Sequence, residues 1–311
     1  MAHRTHYPFI PGELPVRGLV GILLDWFYEL DEEFLLAYRE EMRFNGLPEK
    51  ISYRIDAAPI SDQACVTQEK GIELYETFLQ YLWCLSYAGY VFFREGFMNP
   101  HMAGTFKGVL DVGNPFMKKA EAVLQLGLSL RTEYSPERFD GVPNPIEHDA
   151  IDKDHVEKAN AIFAAAASFI IVHEFAHFYM GHVGTVAFGS QSKADESAAD
   201  AYALHVIRQS MGKEQRRDVT HILGVTTALT SLMLLTPDLR GGEDHPDPDE
   251  RLRCAVEILG VEDESQWAAI SMGLYLWCKT HPHEIMVPRK GDSFKDFFYL
   301  VVNQMREHKT K

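Results

Sequence analysis

His173 and His177 stand four residues apart, with Glu174 directly after the first of them and Phe175 and Ala176 completing the stretch. On a helix, residues i and i+4 share a face, so the two imidazoles can converge on one cation. Glu174 then projects to the side of the pair, where a carboxylate can take a proton from a coordinated water without becoming a ligand. A zinc ion lowers the pKa of such a water from roughly 16 to about 7 and polarises a carbonyl, so the trio holds the components of metal-assisted hydrolysis. The pattern is short and takes its weight from context. Residues 162–179 are apolar except for Ser168, His173, Glu174 and His177. Ionisable groups in such a helix need partners or a metal, because burying one unpaired costs several kcal/mol.

A catalytic metal needs a third protein ligand and an open position. The downstream donors are His182, Asp195, Glu196, Asp200 and His205. His182, five residues beyond His177, reads as a helix-end histidine. Glu196 is the expected ligand: eighteen residues lie between it and His177, enough to finish one helix, turn and return along an antiparallel neighbour. Asp200 falls one turn later on the same face, where it can accept the second ring N–H of a ligand histidine and fix its tautomer. A solvated helix face is the plainer reading of this pair, and the small or apolar neighbours Ala198, Ala199, Ala201, Tyr202, Ala203 and Leu204 disfavour it.

His173, Glu174, His177, Glu196 and Asp200 together resemble the signature of the gluzincin metallopeptidases, H-E-x-x-H followed by a helix bearing E-x-x-x-D. The resemblance spans about residues 150–260. It implies zinc held by His173, His177 and Glu196, Glu174 as general base, and a protein or peptide substrate. His245-Pro246, followed after four residues by Arg251, resembles the H-P-x-x-x-x-R element of peptidases related to the prenyl-protein proteases and to the phage-exclusion peptidases. That similarity implies that His245 stabilises the tetrahedral oxyanion and that Arg251 positions substrate or an active-site carboxylate. Tyr179, Tyr202 and His205 are further candidates for the oxyanion donor, since a phenol or imidazole can supply that hydrogen bond. In overall plan the chain is similar to the phage-exclusion (Lit-type) peptidases, whose members are associated with cleavage of a host translation factor during phage infection. The alternatives are a zinc-stabilised regulatory protein that does not turn over, against which Glu174 stands, and a peptidase-like switch acting on a repressor. The second normally carries a DNA-binding or sensory module, and none is legible.

The elements that must position these residues make an α+β protein, predominantly helical, with a zincin-like core of an active-site helix and a small sheet. Apolar spacing predicts helices over 19–45 and 73–94, and short strands over 51–60 and 105–112. Asp154 with Glu157 predicts the start of the motif helix, and Gly181 or Gly184 its end. Ser192 opens a second helix running to about Gly212, and a third runs from about Asp218 to Thr236 before Pro237. Asp247, Pro248 and Glu250 open a fourth that ends at Gly260. The turn-rich stretch 135–145 divides an N-terminal, mainly helical region, 1–145, from a metallopeptidase region, 146–311, which can still form one unit.

Composition narrows the partners. A net charge of -15 leaves no clustered Lys and Arg for nucleic acid. The four cysteines, Cys65, Cys84, Cys254 and Cys278, form no C-x-x-C pair and suggest reduced thiols. The first residues lack the apolar segment of a signal peptide, so the expected location is cytoplasmic. The apolar segments 77–93 and 222–235 fall short of the ~20 residues that cross a bilayer and are expected to be core helices, without membrane insertion.

Overall fold

The computed structural model describes residues 13–49, 51–61, 64–67, 71–106, 113–183, 189–211, 215–235, 240–280 and 293–309, with only the backbone of 215–217. In chain order the elements are α1 (Val20–Tyr28), α2 (Glu32–Phe44), β1 (Ser52–Arg54), β2 (Ala64–Thr67), β3 (Gly71–Tyr75), α3 (Glu76–Val91) and, after a π-helical turn, α4 (Asn99–Met102). They continue as α5 (Pro115–Ser129), α6 (Lys153–Tyr179), α7 (Ser190–Ser210), α8 (Gln215–Leu235), α9 (Pro248–Leu259), α10 (Glu264–Thr280) and α11 (Phe294–Lys309). The three strands form one small sheet in the order β1-β3-β2, with β1 parallel and β2 antiparallel to β3. The expected class, α+β and predominantly helical, is what forms.

The helix that carries the motif is the spine of the molecule. α6 spans 27 residues and packs against α1, α3, α7 and α8, so it is apolar nearly all round, as a core helix must be. Its small residues let neighbours come close. A Cβ on Gly224 of α8 would lie 2.6 Å from the Ala165 Cβ and 3.0 Å from Ala165 backbone, so glycine there sets the α6–α8 distance. One cluster of buried side chains runs from Leu14 to Met305, with Trp83, Tyr38, Tyr81, Tyr87 and Phe163 among its largest members.

Several boundaries differ from the sequence expectation. The segment 19–45 breaks into two helices because the Asp31 carboxylate accepts the amides of Glu33 and Phe34 at 3.0 and 3.1 Å, starting α2 afresh. The helix expected from 73 begins at Glu76, after β3; the buried Glu76 carboxylate is held there by Arg17 and the Tyr53 hydroxyl, each at 2.6 Å. Of the strand expected over 51–60 only Ser52–Arg54 pairs. The one expected over 105–112 falls almost wholly outside the described residues, and Thr105 and Phe106 are not in a strand. Asp154 does not cap α6: it sits in the first turn and pairs with Arg94. α7 starts two residues before Ser192, whose hydroxyl instead donates to the Asp244 carbonyl at 3.0 Å.

The helix expected from 218 starts at Gln215. By length and composition Lys153–Tyr179 and Asp218–Leu235 are each apolar enough to cross a membrane, and in this fold 72% of each window is buried. All four cysteines are free thiols.

Candidate metal centre

α6 and α7 bring the donors together. His173 and His177, one turn apart on α6, place their Nε2 atoms 3.1 Å from each other. Glu196 of α7 lies opposite, with one carboxylate oxygen 3.2 Å from His177 Nε2 and the other 3.6 Å from His173 Nε2. One donor atom from each of the three residues lies within 4.8 Å of the others. A tetrahedral zinc with bonds of about 2.0–2.1 Å holds its ligand atoms about 3.3 Å apart; the two imidazole nitrogens match that spacing at 3.1 Å, and Glu196 offers each of them a different oxygen.

The electrostatics favour positive charge at the same point. Burial works against an ionised Glu196, yet His177 and His245 hold its carboxyl far below the usual range. Burial also opposes charge on His173, but Asp200, Glu174 and Glu196 together raise its pKa. Glu174 behaves differently: burial pushes its carboxyl up, against the pull of the two imidazoles and of the Val66 backbone amide on β2, which donates to it. A carboxylate whose proton affinity is raised in this way is suited to accepting one.

Behind His173 stands a buried ion pair. Asp200, 3% exposed, places Oδ1 3.0 Å from His173 Nδ1. Arg251, from the first turn of α9, grips both oxygens of that carboxylate, Nε to Oδ2 at 2.6 Å and Nη2 to Oδ1 at 2.7 Å. Burial opposes the ionised form of Asp200, and Arg251 with His173 nonetheless lowers its pKa.

Behind His177 stands a third imidazole that sequence reasoning assigned to the helix end alone. Gly181 adopts φ +74°, its amide bonds to the Phe178 carbonyl at 3.0 Å and the His182 amide to the His177 carbonyl at 2.8 Å. This pair of bonds is the Schellman ending of a helix, which folds the second residue past the cap back over the last turn. It sets His182 Nδ1 3.1 Å from His177 Nδ1, with Asp195 on the far side of the ring at 3.6 Å. The signal was present in the sequence as a glycine four residues beyond His177, immediately before a histidine.

His245 joins the group from the loop before α9, its Nδ1 3.3 Å from Glu196 and its side chain 59% exposed. The Glu196 carboxylate raises its pKa. His173, Glu174, Glu196, His245 and Arg251 all line one cleft of about 370 Å³. Its apolar lining comes from α6 and α8: Phe169, Ile170, Ala228, Leu229, Leu232 and Met233. The remaining candidates are placed elsewhere. Tyr179 stacks on Phe175, Tyr202 packs tilted against both, His205 is exposed on α7, and none of the three lines the cleft.

The chain matches the family model described as Peptidase U49 over residues 72–272, a segment that contains every donor named above. No curated protein and no solved structure matches it. Because the matched segment covers more than half of the molecule and includes the whole of α6 to α9, the chain belongs to the Peptidase U49 family, a peptidase family.

Proposed function

We propose that this chain is a zinc-dependent endopeptidase of gluzincin type, in which His173, His177 and Glu196 hold the ion and Glu174 is the general base. The observation that carries the proposal is the convergence of three donor atoms within 4.8 Å of one another, two of them, from His173 and Glu196, on residues that line a cleft together with the carboxylate of Glu174. Zinc in such a site supplies a polarised carbonyl and a water acidic enough to attack it at neutral pH.

The chain's own residues do the rest. Glu174 takes the proton of the attacking water on a carboxylate oxygen and passes it to the leaving amine; such transfers are worth about 10²–10⁴ in rate. His245, whose Nδ1 lies 3.3 Å from Glu196 in the cleft, donates to the oxyanion that forms on the carbonyl. Arg251 fixes Asp200, which in turn fixes the His173 ring. The apolar wall of α6 and α8 receives an aliphatic or aromatic side chain next to the scissile bond. Resemblance to the phage-exclusion peptidases extends the proposal to a narrow protein substrate met in the cytoplasm during phage infection.

Metal content by mass spectrometry of wild type, Glu174→Ala and Glu196→Ala tests it, beside hydrolysis of a quenched-fluorescence peptide library. About one zinc per chain is expected in wild type and Glu174→Ala, with zinc lost from Glu196→Ala and hydrolysis lost from both variants. Full zinc retention in Glu196→Ala overturns the ligand set. Undiminished hydrolysis in Glu174→Ala overturns the base, and a zinc-loaded wild type that cleaves nothing in the library moves the weight to a regulatory protein.

A further inference from the structure

The loop that delivers His245 is tied to a point far along the chain. Within the loop, the Gly241 amide donates to Asp247 Oδ1 at 2.9 Å, and Gly241 lies so close to the chain opposite that a Cβ would come 2.2 Å from the Pro246 carbonyl and 2.3 Å from that of His245. The start of α7 holds the other side, through Ser192 in its first turn and Gly189 just before it, both on Asp244. The remaining anchor is the last described residue of α11. Lys309 Nζ bonds Asp247 Oδ2 at 2.7 Å and also bonds Asp249 Oδ1, while the Lys309 carbonyl accepts from Arg240 Nη2 at 2.7 Å.

This is not an ordinary surface ion pair. The Lys309 side chain is 11% exposed and Asp249 is fully buried, so the ammonium neutralises a carboxylate that water does not reach. Asp247 sits at the cap position of α9, where an aspartate usually binds the first amides of its own helix. Here it makes no such bond, and its two oxygens join Gly241 on one side to Lys309 on the other. The cap is therefore replaced by a clamp that spans the loop, the start of α9 and the end of α11. His245 lies two residues before one clamped aspartate, and Arg251 two residues after the other.

We infer that Lys309 is a positioning residue for the active site: it holds the 240–249 loop in the one conformation that sets His245 against Glu196. Lys309 lies outside the 72–272 segment shared with the family model, so this control of the site is supplied by a part of the chain beyond the matched region. The inference rests on the metallopeptidase reading only for the consequence of the positioning; the clamp itself is a statement about the loop.

The test is amide hydrogen exchange of full-length, zinc-loaded protein, followed peptide by peptide, with zinc content measured on the same samples. Lys309→Met is expected to speed exchange across 240–249 by about 10-fold or more, since charge-assisted bonds close that segment. Lys309→Met/Asp249→Asn, which leaves no buried orphan charge, should fold normally and still release the loop through Asp247. Lys309→Arg, which keeps the charge, should restore protection. Zinc content should stay at the wild-type level in all three.

Unchanged exchange across 240–249 in both methionine variants overturns the clamp. So does acceleration spread evenly over the whole chain in the double variant, which signals a merely structural lysine. A wild type that takes up no zinc defeats the metallopeptidase reading instead, and leaves the exchange result to judge the clamp alone.

Discussion

His173 and His177 present their Nε2 atoms to the same carboxylate, yet they are held from behind by unlike means. His173 leans on Asp200, a buried charge locked by two bonds from Arg251. His177 leans on His182, a neighbour imidazole delivered by the turn that ends its own helix. The first support is long-range and joins three helices, α6, α7 and α9. The second is delivered locally, by the six consecutive residues 177–182, with Asp195 of α7 on the far side of the His182 ring. The difference separates two functions: damage behind His173 should be felt by the fold, damage behind His177 by binding of the proposed metal alone.

The largest effect should come from Arg251→Met. It strands the Asp200 carboxylate, 3% exposed, without its counter-charge, at a cost of about 3–5 kcal/mol. At about 2–4 °C per kcal/mol, thermal unfolding followed by circular dichroism should show the midpoint lower by roughly 10 °C. Asp200→Asn/Arg251→Met removes both charges together and should recover most of that loss, because a buried ion pair adds little net stability over a neutral replacement. If the double variant is as unstable as the single one, the pair is not what the buried charges are there to balance.

That double variant also sharpens the comparison at the metal. With folding largely restored, it lacks the carboxylate behind His173, and competition with a zinc-sensitive dye should show affinity reduced by up to about 100-fold. His182→Ala removes an imidazole behind His177, where the partner behind His173 is a carboxylate held by two charge-assisted bonds, the stronger class of hydrogen bond. Its loss should lie near about 10-fold, with a melting midpoint unchanged within about 0.5 kcal/mol of stability. Equal losses of affinity in the two variants would erase the distinction between the supports.

Much of this site follows from the 3.6-residue period alone. His173 with His177, and Glu196 with Asp200, are i and i+4 pairs, so each pair's common face was legible, and the eighteen intervening residues allowed the two helices to meet. The edges of α9 were legible too, through Pro248 and Gly260, the latter at φ +67°. What stayed hidden depends on docking between distant segments. Asp247 reads as a cap, but its oxygens are taken by Gly241 and Lys309. Ser192 and Asp154 likewise carry capping chemistry in the sequence and spend it on Asp244 and Arg94. A capping side chain is identified by local pattern, and any stronger partner that the fold brings within reach displaces it. β2 was missed because four residues of mixed character, Ala64 to Thr67, become a strand only when β3 pairs with them.

The smallest effect tests the local support at its hinge. Gly181 is the residue whose φ of +74° turns His182 back towards His177, and a Cβ there would meet nothing within 4 Å. Gly181→Ala therefore introduces no clash, only the backbone cost of a left-handed residue, about 1–2 kcal/mol. The helix end can relieve that cost by unwinding, which carries His182 away from His177. Zinc affinity should then fall by no more than in His182→Ala, accompanied by a midpoint drop of a few degrees that His182→Ala does not show. Gly181→Asn should fall between wild type and Gly181→Ala on both scales, because asparagine tolerates the left-handed region. If Gly181→Ala lowers the midpoint yet leaves zinc affinity untouched, the turn and the ligand are not coupled, and the support behind His177 must act without the Schellman ending.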